Sequence, residues 1–442
     1  MINNLRTRFV SRFLKGEIIK RFLQILSIDV LTKISGIILL PIYLRLMSQD
    51  EYGLFSYITS LITTASGVLI FGLYISQSKI FTDYDDVEKR GKLLYSINLF
   101  ILVSHILIIV PCMIFGFDRV IISFLFKNAF NYDSYRYPMV LGIYLVNLGF
   151  MFFNFLLITD EIKKIQQYNI ARLLLLNLAT LVALYFIPGD KAAIRFICFI
   201  TVELIVISWF IKHYVKHMVF QFDYHLLKKA LILGFPIMLN GIFGLAVNFS
   251  DKFFLEKYAT FAQLSVYYLA FSIANIITFA LASFQNIYFP MFLKEKNIRE
   301  NVRKTKKLIK GVVLFFLSVS VMLELGSILL FKLGIIPIKY FEVVYVLPLI
   351  MLLQMVIALT SFFGYYLVYF DKTFFLIYVG FAIGVMSILT NLYFVPRFMM
   401  YGAIISSLII NTLYLSIYAF IARKYINENL KLTEPVYESN GV

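Results

Sequence analysis

Asp29 and Lys33 lie four residues apart in a long apolar stretch, so one helix face would carry both. Charge inside hydrocarbon is costly, which makes each charge in such a stretch a candidate for function. The pair is either mutually neutralising or one wall of a hydrated cavity. Pairing alone leaves two costly charges in lipid unless they face protein or water. Arg45 closes the same stretch, as a cavity cation or as an anchor that extends its guanidinium to the interface. Asp251 and Lys252 end the equivalent stretch of the second half and read as cavity or gate residues. Glu203 and Glu324 sit deep in apolar sequence with no local partner, each either neutral and buried or a proton carrier. Arg172 begins a further stretch, where an interfacial anchor is the plainer role.

The histidines carry less. His105 is mid-stretch and reads as a hydrogen-bonded packing residue before a proton relay. His213 and His217 have the i, i+4 spacing of metal ligands, but their segment is basic and holds no nearby acid or cysteine, so no metal is expected. Asp83-Tyr84-Asp85 matches the D-x-D of sugar-nucleotide transferases in a loop of about 16 residues, too short for a transferase fold. Gly380 and Gly384 form G-x-x-x-G, which close helix packing explains. There is no P-loop, H-E-x-x-H or nucleophile elbow, so hydrolysis of ATP is not expected and no enzyme is indicated. Cys112 and Cys198 both fall in apolar sequence and suggest neither a disulfide framework nor a metal site.

The elements that must hold these residues are membrane helices. Hydrophobic residues make up 61% of the 442 and charged residues 15%, against about 25% charged in a soluble domain. About twelve segments have the ~20 apolar residues a bilayer crossing needs. They run approximately over 22–46, 54–76, 93–117, 137–158, 169–188, 194–215, 230–250, 264–293, 310–335, 344–370, 374–396 and 402–422. No loop exceeds roughly 20 residues, which leaves no room for an extramembrane catalytic domain. A net charge of +16 would suggest nucleic acid in a soluble chain; here topology explains it. The N-terminus, even-numbered loops and C-terminus hold 28 of the 41 Lys and Arg residues, and the odd-numbered loops hold 11. Basic residues near spans stay cytoplasmic, so both termini are expected inside. The densest run, Lys294 to Lys310, has eight basic residues and reads as an anchor against anionic lipid.

The chain also reads as duplicated. Leu184-Tyr185-Phe186-Ile187-Pro188 recurs as Leu392-Tyr393-Phe394-Val395-Pro396, and the segment 54–60 aligns loosely with 265–271. Both offsets are near half the chain, or six spans, which gives halves of the same orientation. The expected organisation is a basic segment 1–21, a six-helix bundle 22–215, a linker 216–229, a second bundle 230–422 and a tail 423–442. Asn and Gln residues, among them Asn98, Asn147, Asn177, Asn248 and Gln354, recur through the spans and suggest a wet interior.

Three landmarks carry a family resemblance. Leu40-Pro41-Ile42-Tyr43-Leu44-Arg45 followed by a short polar turn and Tyr52-Gly53 resembles the first-loop signature of Wzx-type flippases for lipid-linked O-antigen and capsule repeat units. The segment Asn248 to Ala270 is similar to their seventh-to-eighth span region, with Asp251 at the acidic position and Tyr267-Tyr268 following. Pro396 to Ser406 resembles the stretch before their last span, except that Met399 stands where a glycine is common. The resemblance implies an all-α, MATE-like fold of the MATE/MOP exporter superfamily: two pseudo-symmetric six-helix bundles around a central cavity, working by alternating access. It implies a polyprenyl-diphosphate-linked glycan as substrate, flipped from the inner to the outer leaflet of the bacterial inner membrane. No cofactor is implied beyond a coupling ion, H+ or Na+. Membrane lipid, and the polymerase and chain-length proteins of the same pathway, are the further partners; nucleic acid is not one.

The physics agrees with that cargo. A sugar head group in hydrocarbon strands its hydroxyls without partners, and a polar cavity removes that cost. A diphosphate asks for cations, Arg as a bidentate donor and Lys as a point charge. Lys33, Arg45, Lys252 and Arg172 are the head-group candidates on this reading, and Asp29, Asp251, Glu203 and Glu324 the gating or ion-coupling candidates. A drug or small-cation antiporter of the same superfamily would instead show an acidic cavity. An O-antigen polymerase would carry one large outer loop, and this chain has none.

Overall fold

The computed structural model describes Gly36, residues 38–370, Lys372 and residues 374–432. Asp29 and Lys33 therefore lie outside the described residues. The described chain is helical, with no strand among its residues, and it divides into two compact units, Met1–Ile242 and Phe243–Val442.

The first unit holds a helical segment, 38–46, and then α1 (Gln49–Leu69), α2 (Leu73–Asp83), α3 (Val87–Ile114), α4 (Phe117–Leu125), α5 (Arg136–Ile158), α6 (Ile162–Phe186) and α7 (Lys191–Val215). The helix α8 (Tyr224–Tyr258) begins in the first unit and ends in the second. The second unit continues with α9 (Phe261–Lys294), α10 (Ile298–Lys332), α11 (Val343–Tyr369) and α12 (Phe374–Leu432). Nine described helices are long and apolar enough to cross a membrane, or ten with the bent pair α1–α2 counted as one. The difference from twelve has two sources. The first expected span starts outside the described residues, and the last two are fused in α12. Large apolar side chains point outward, with Trp209 68% and Phe420 74% exposed. Lipid is the solvent that tolerates this, and the chain is a multi-pass membrane protein.

Local chemistry sets the helix ends, and it repeats. Ser48 and Glu51 form a capping box at the start of α1: Glu51 N donates to Ser48 Oγ at 3.1 Å, and Ser48 N to Glu51 Oε2 at 2.7 Å. Thr260 and Gln263 form the same box at the start of α9, 212 positions later. The turn after each recurrent Leu-Tyr-Phe-x-Pro segment also has a left-handed backbone, at Gly189 (φ 116°) and at Met399 (φ 47°). Met399 marks the kink inside α12, so the turn that usually takes glycine is kept here by a side-chain-bearing residue.

The break between α1 and α2 bends the chain by 45°. Phe71 and Gly72 both have positive φ there. A Cβ on Gly72 would stand 2.3 Å from Gly234 O, and one on Gly234 would stand 2.5 Å from Phe71 O. The two backbones touch, so the break is seated directly on α8. The short α4 is turned inside out. Phe117, Val120 and Phe124 are exposed, and Asp118 alone is buried, 2.6 Å from Arg136 and accepting a 3.0 Å bond from Tyr132. Burial raises its carboxyl pKa, but the bonds from Arg136 and Tyr132 outweigh this and hold it below the usual range. An apolar face turned outward suits a helix lying in the membrane interface.

In the second unit Gly384 packs against Phe243 O and Ala246 Cβ at 3.4 and 3.3 Å, the close helix contact its spacing suggested. A further core there joins Phe292, Tyr366 and Ala422 from α9, α11 and α12.

Candidate functional site

The first unit contains a cavity of about 460 Å³ whose wall includes Tyr43, Phe55, Asn169, Arg172, Asn177 and Arg195. Its geometry begins at the start of α7. Asp190 caps that helix, accepting from Ala192 N and Ala193 N at 2.9 and 3.1 Å, while Tyr135 donates to its other oxygen at 2.8 Å. Glu51, already in the α1 capping box, accepts from Lys191 N at 2.9 Å and so ties α7 to α1. Arg195 lies one turn beyond this doubly fixed end. Its guanidinium rests over Phe55 at 4.2 Å and Tyr43 at 4.3 Å, with Tyr52 at 5.7 Å. The ring faces hold a planar cation while its donors stay at the cavity wall.

Tyr43 is fixed in turn by its hydroxyl, which donates to Asn177 Oδ1 at 2.8 Å. Arg172, on α6, donates to the buried carboxylate of Glu203 on α7. Among the described residues the cavity wall thus carries two guanidiniums, Arg172 paired with Glu203, framed by amides and aromatic rings. Anions and hydroxyl-rich groups are the chemistry such a wall can bind.

The structure places the other candidates as follows. Glu203 has no partner within its own stretch, and the fold supplies one from elsewhere. The α6–α7 hairpin brings Arg172 to it across 31 positions, and Arg172 is a cavity residue in place of an interfacial anchor. Arg45 is exposed and does not belong to the cavity wall. Asp251 and Lys252 form a second cluster in the second unit. Lys252 Nζ lies 3.1 Å from Asp251 Oδ1, donates to Asn248 O at 2.6 Å and sits over the Phe271 and Tyr267 rings at 5.1 and 5.9 Å. Tyr267 donates to the other Asp251 oxygen. Glu324 stands apart in a cleft of about 320 Å³ with Ser320, Pro348 and Met351, and its buried Oε2 has no hydrogen-bond partner among the described residues.

Two groups of histidines are also resolved. His105 bonds Ile101 O at 2.7 Å and Asn147 at 3.1 Å, a packing geometry. His213 and His217 do have an acid nearby, a correction to the sequence window: Glu161 Oε1 lies 2.6 Å from His213 Nε2. Lys164 Nζ stands within 2.8 Å of the same imidazole and pairs with Glu161. An ammonium already occupies this three-ligand cluster. The Glu161 carboxyl is raised by burial, but hydrogen bonds from Lys164 and His213 win and hold it below its ordinary range.

Arg195 is the residue sequence reading missed. It is the second residue of the apolar span 194–215. An arginine inside that span, five positions after a capping Asp190, was the signal available.

No protein-family model matches the sequence, and no curated protein matches it. Solved structures do match in fold. A multidrug resistance transporter of the MATE family, MOP superfamily, in an inward-facing conformation superposes with a TM-score of 0.69 at 13% identity, over 92% of this chain and 100% of that one. Lipid II flippase MurJ, in an inward closed conformation, gives 0.65 at 13% identity over 93% of both chains. A MOP superfamily transporter from Pyrococcus furiosus, for which reverse polarity of the binding pocket suggests a different function, gives 0.61 at 13% identity over 94% and 97%. The fold is therefore the MATE-like one that these transporters and the flippase share.

Proposed function

We propose that this protein is a flippase that moves a polyprenyl-diphosphate-linked oligosaccharide repeat unit from the inner to the outer leaflet of a bacterial cytoplasmic membrane, by alternating access, for O-antigen or capsule synthesis. The observation that carries the reading is the pair of guanidiniums, Arg172 and Arg195, in the wall of the first unit's cavity beside amides and aromatic rings. Guanidiniums bind the diphosphate in a bidentate manner, and Asn169, Asn177 and Tyr43 offer partners to sugar hydroxyls. The lipid tail stays in the bilayer, so only the head group needs the cavity. Lys252 joins as a cation of the second unit, and Lys33 and Arg45 complete the head-group set. Asp251, Glu203, Glu324 and Asp29 gate the cycle or couple it to H+ or Na+.

A cation-coupled small-molecule antiporter is the second reading, favoured by the fold shared with multidrug transporters and by the unpartnered Glu324. Deletion in the host separates them. Loss of surface glycan, with complete single repeat units trapped on the inner leaflet by mass spectrometry and glycosidase accessibility, supports the flippase. Units stranded on the outer leaflet would indicate a polymerase. Unchanged glycan with new drug sensitivity would replace the flippase reading by the antiporter.

A further inference from the structure

Helices α9 and α10 leave a cleft of about 720 Å³ between them. Leu281 of α9 and Leu308, Gly311 and Phe315 of α10 line it, and Lys304 and Lys307 stand at one end. On α10 the residues 304, 308, 311 and 315 follow helical spacing and share one face. From Lys304 to Phe315 that face rises about 16 Å at 1.5 Å per residue. This is close to one leaflet of a ~30 Å hydrocarbon core. Tyr288 also borders the cleft, but its hydroxyl is engaged with Thr305 Oγ1 at 2.7 Å, so little polar demand remains beyond the two lysines.

Two features define the occupant. The first is space: a Cβ on Gly311 would meet nothing within 4 Å, so the middle of the cleft is open at a residue without a side chain. The second is charge. Residues 294–310 carry eight basic side chains and two acidic ones, Glu295 and Glu300. Glu295 pairs with Lys304 at 2.6 Å, and Glu300 with Arg303 at 2.7 Å and Lys304 at 3.6 Å, so the two acids compensate only part of the run's charge. Lys307 has no carboxylate within ion-pair distance among the described residues. An occupant must therefore be anionic at one end and apolar over the length of an acyl chain.

We infer that the α9–α10 cleft is a binding site for an anionic glycerophospholipid, its phosphate at Lys304 and Lys307 and one acyl chain along Leu308, Gly311 and Phe315. The site is distinct from the cavity of the first unit and does not depend on what that cavity carries. It narrows the basic run from a diffuse membrane anchor to a defined lipid position between two helices.

The test is native mass spectrometry of the purified full chain in detergent, titrated with phosphatidylglycerol or with phosphatidylcholine. The wild type is expected to retain phosphatidylglycerol at least about tenfold better than phosphatidylcholine, given two lysines at the head group. The K304Q/K307Q double variant loses that preference. Gly311→Phe fills the acyl slot and lowers retention by a similar factor with both lysines intact; Gly311→Val replaces it if the larger ring prevents folding, as judged by size exclusion. The K228Q/K229Q variant, altered at basic residues of α8, keeps wild-type retention. Equal retention of both lipids by the wild type overturns the site. So does wild-type retention in either the lysine or the glycine variant, or loss in K228Q/K229Q.

Discussion

The two units handle a buried cation in different ways. In the first, Arg172 is paired with Glu203, and Arg195 is steadied by aromatic faces at a cavity wall. In the second, Lys252 is closed on its sequence neighbour Asp251, which also takes the Tyr267 hydroxyl. A guanidinium has five donors in a plane and can be held from its face while its edge stays available. An ammonium next to a carboxylate spends its charge locally. The first arrangement sets a guanidinium on ring faces at a cavity wall. The second makes a self-contained pair, suited to a gate or a coupling site that changes only when its partner changes. The capping boxes and the turns at Gly189 and Met399 thus recur in the two units while the charged chemistry differs.

The largest effect should follow from removing the guanidinium of the cavity wall. Arg195→Ala, at normal protein levels, is expected to cut surface glycan by tenfold or more, since a charged hydrogen bond is worth about 1.5–3 kcal/mol. Arg195→Lys keeps the charge but loses the planar contact with Tyr43 and Phe55 and should recover only part of the export. Lys252→Gln should reduce export by a smaller factor. If the order is reversed, the second unit carries the head group and the comparison fails.

Next in size is the ion pair that joins α6 to α7. Arg172→Ala leaves Glu203 buried without its partner, a change that costs about 3 kcal/mol in comparable pairs. Glu203→Gln keeps an acceptor for Arg172 and should lower the thermal midpoint less. It also raises the positive charge of the cavity, so binding of a soluble diphosphate should tighten in Glu203→Gln and weaken in Arg172→Ala. Thermal shift and calorimetric titration read the two effects separately. Wild-type midpoints in both variants would show that the pair contributes nothing to stability.

A smaller change tests the second cluster. Tyr267→Phe removes one hydrogen bond to Asp251 and leaves Lys252 in place. A loss of about 1–2 kcal/mol in stability is expected, with little change in export if the cluster is structural. A gating or coupling role predicts the opposite balance: a slowed cycle in proteoliposomes at nearly unchanged stability.

Much of this was legible in the sequence for a physical reason. A bilayer requires uninterrupted apolar runs, so the spans announce themselves, and capping signals such as Ser48-x-x-Glu51 lie within four residues. The site was less legible because it depends on contacts between helices. Glu203 and Arg172 are 31 positions apart, and Arg195 meets Tyr43 across 152. No local window contains such pairs. The same holds for Glu161, which meets His213 only after α6 and α7 have folded back on each other. The inverted α4 was missed because its nine residues are too few to register as a span.

The Glu161 carboxyl offers the finest test, because Glu161 itself precedes α6, outside the spans, and lies in the first unit alone. Its carboxyl is held below the ordinary range by Lys164 and His213, so its charged form is favoured by folding. A depressed carboxyl contributes stability above the unfolded value, near pH 4.3 for a free glutamate, and that contribution disappears as pH falls through the lower folded value. The thermal midpoint of the wild type should therefore drop more steeply than that of Glu161→Gln between about pH 5 and pH 3. His217 also faces the cluster, so the difference between the two proteins, and not the wild-type curve alone, isolates the carboxyl. Parallel curves would mean that Lys164 and His213 give up as much to water in the unfolded chain as they provide in the folded one. The cluster would then be a solvated neighbourhood of charges and not a fastening between α6 and α7.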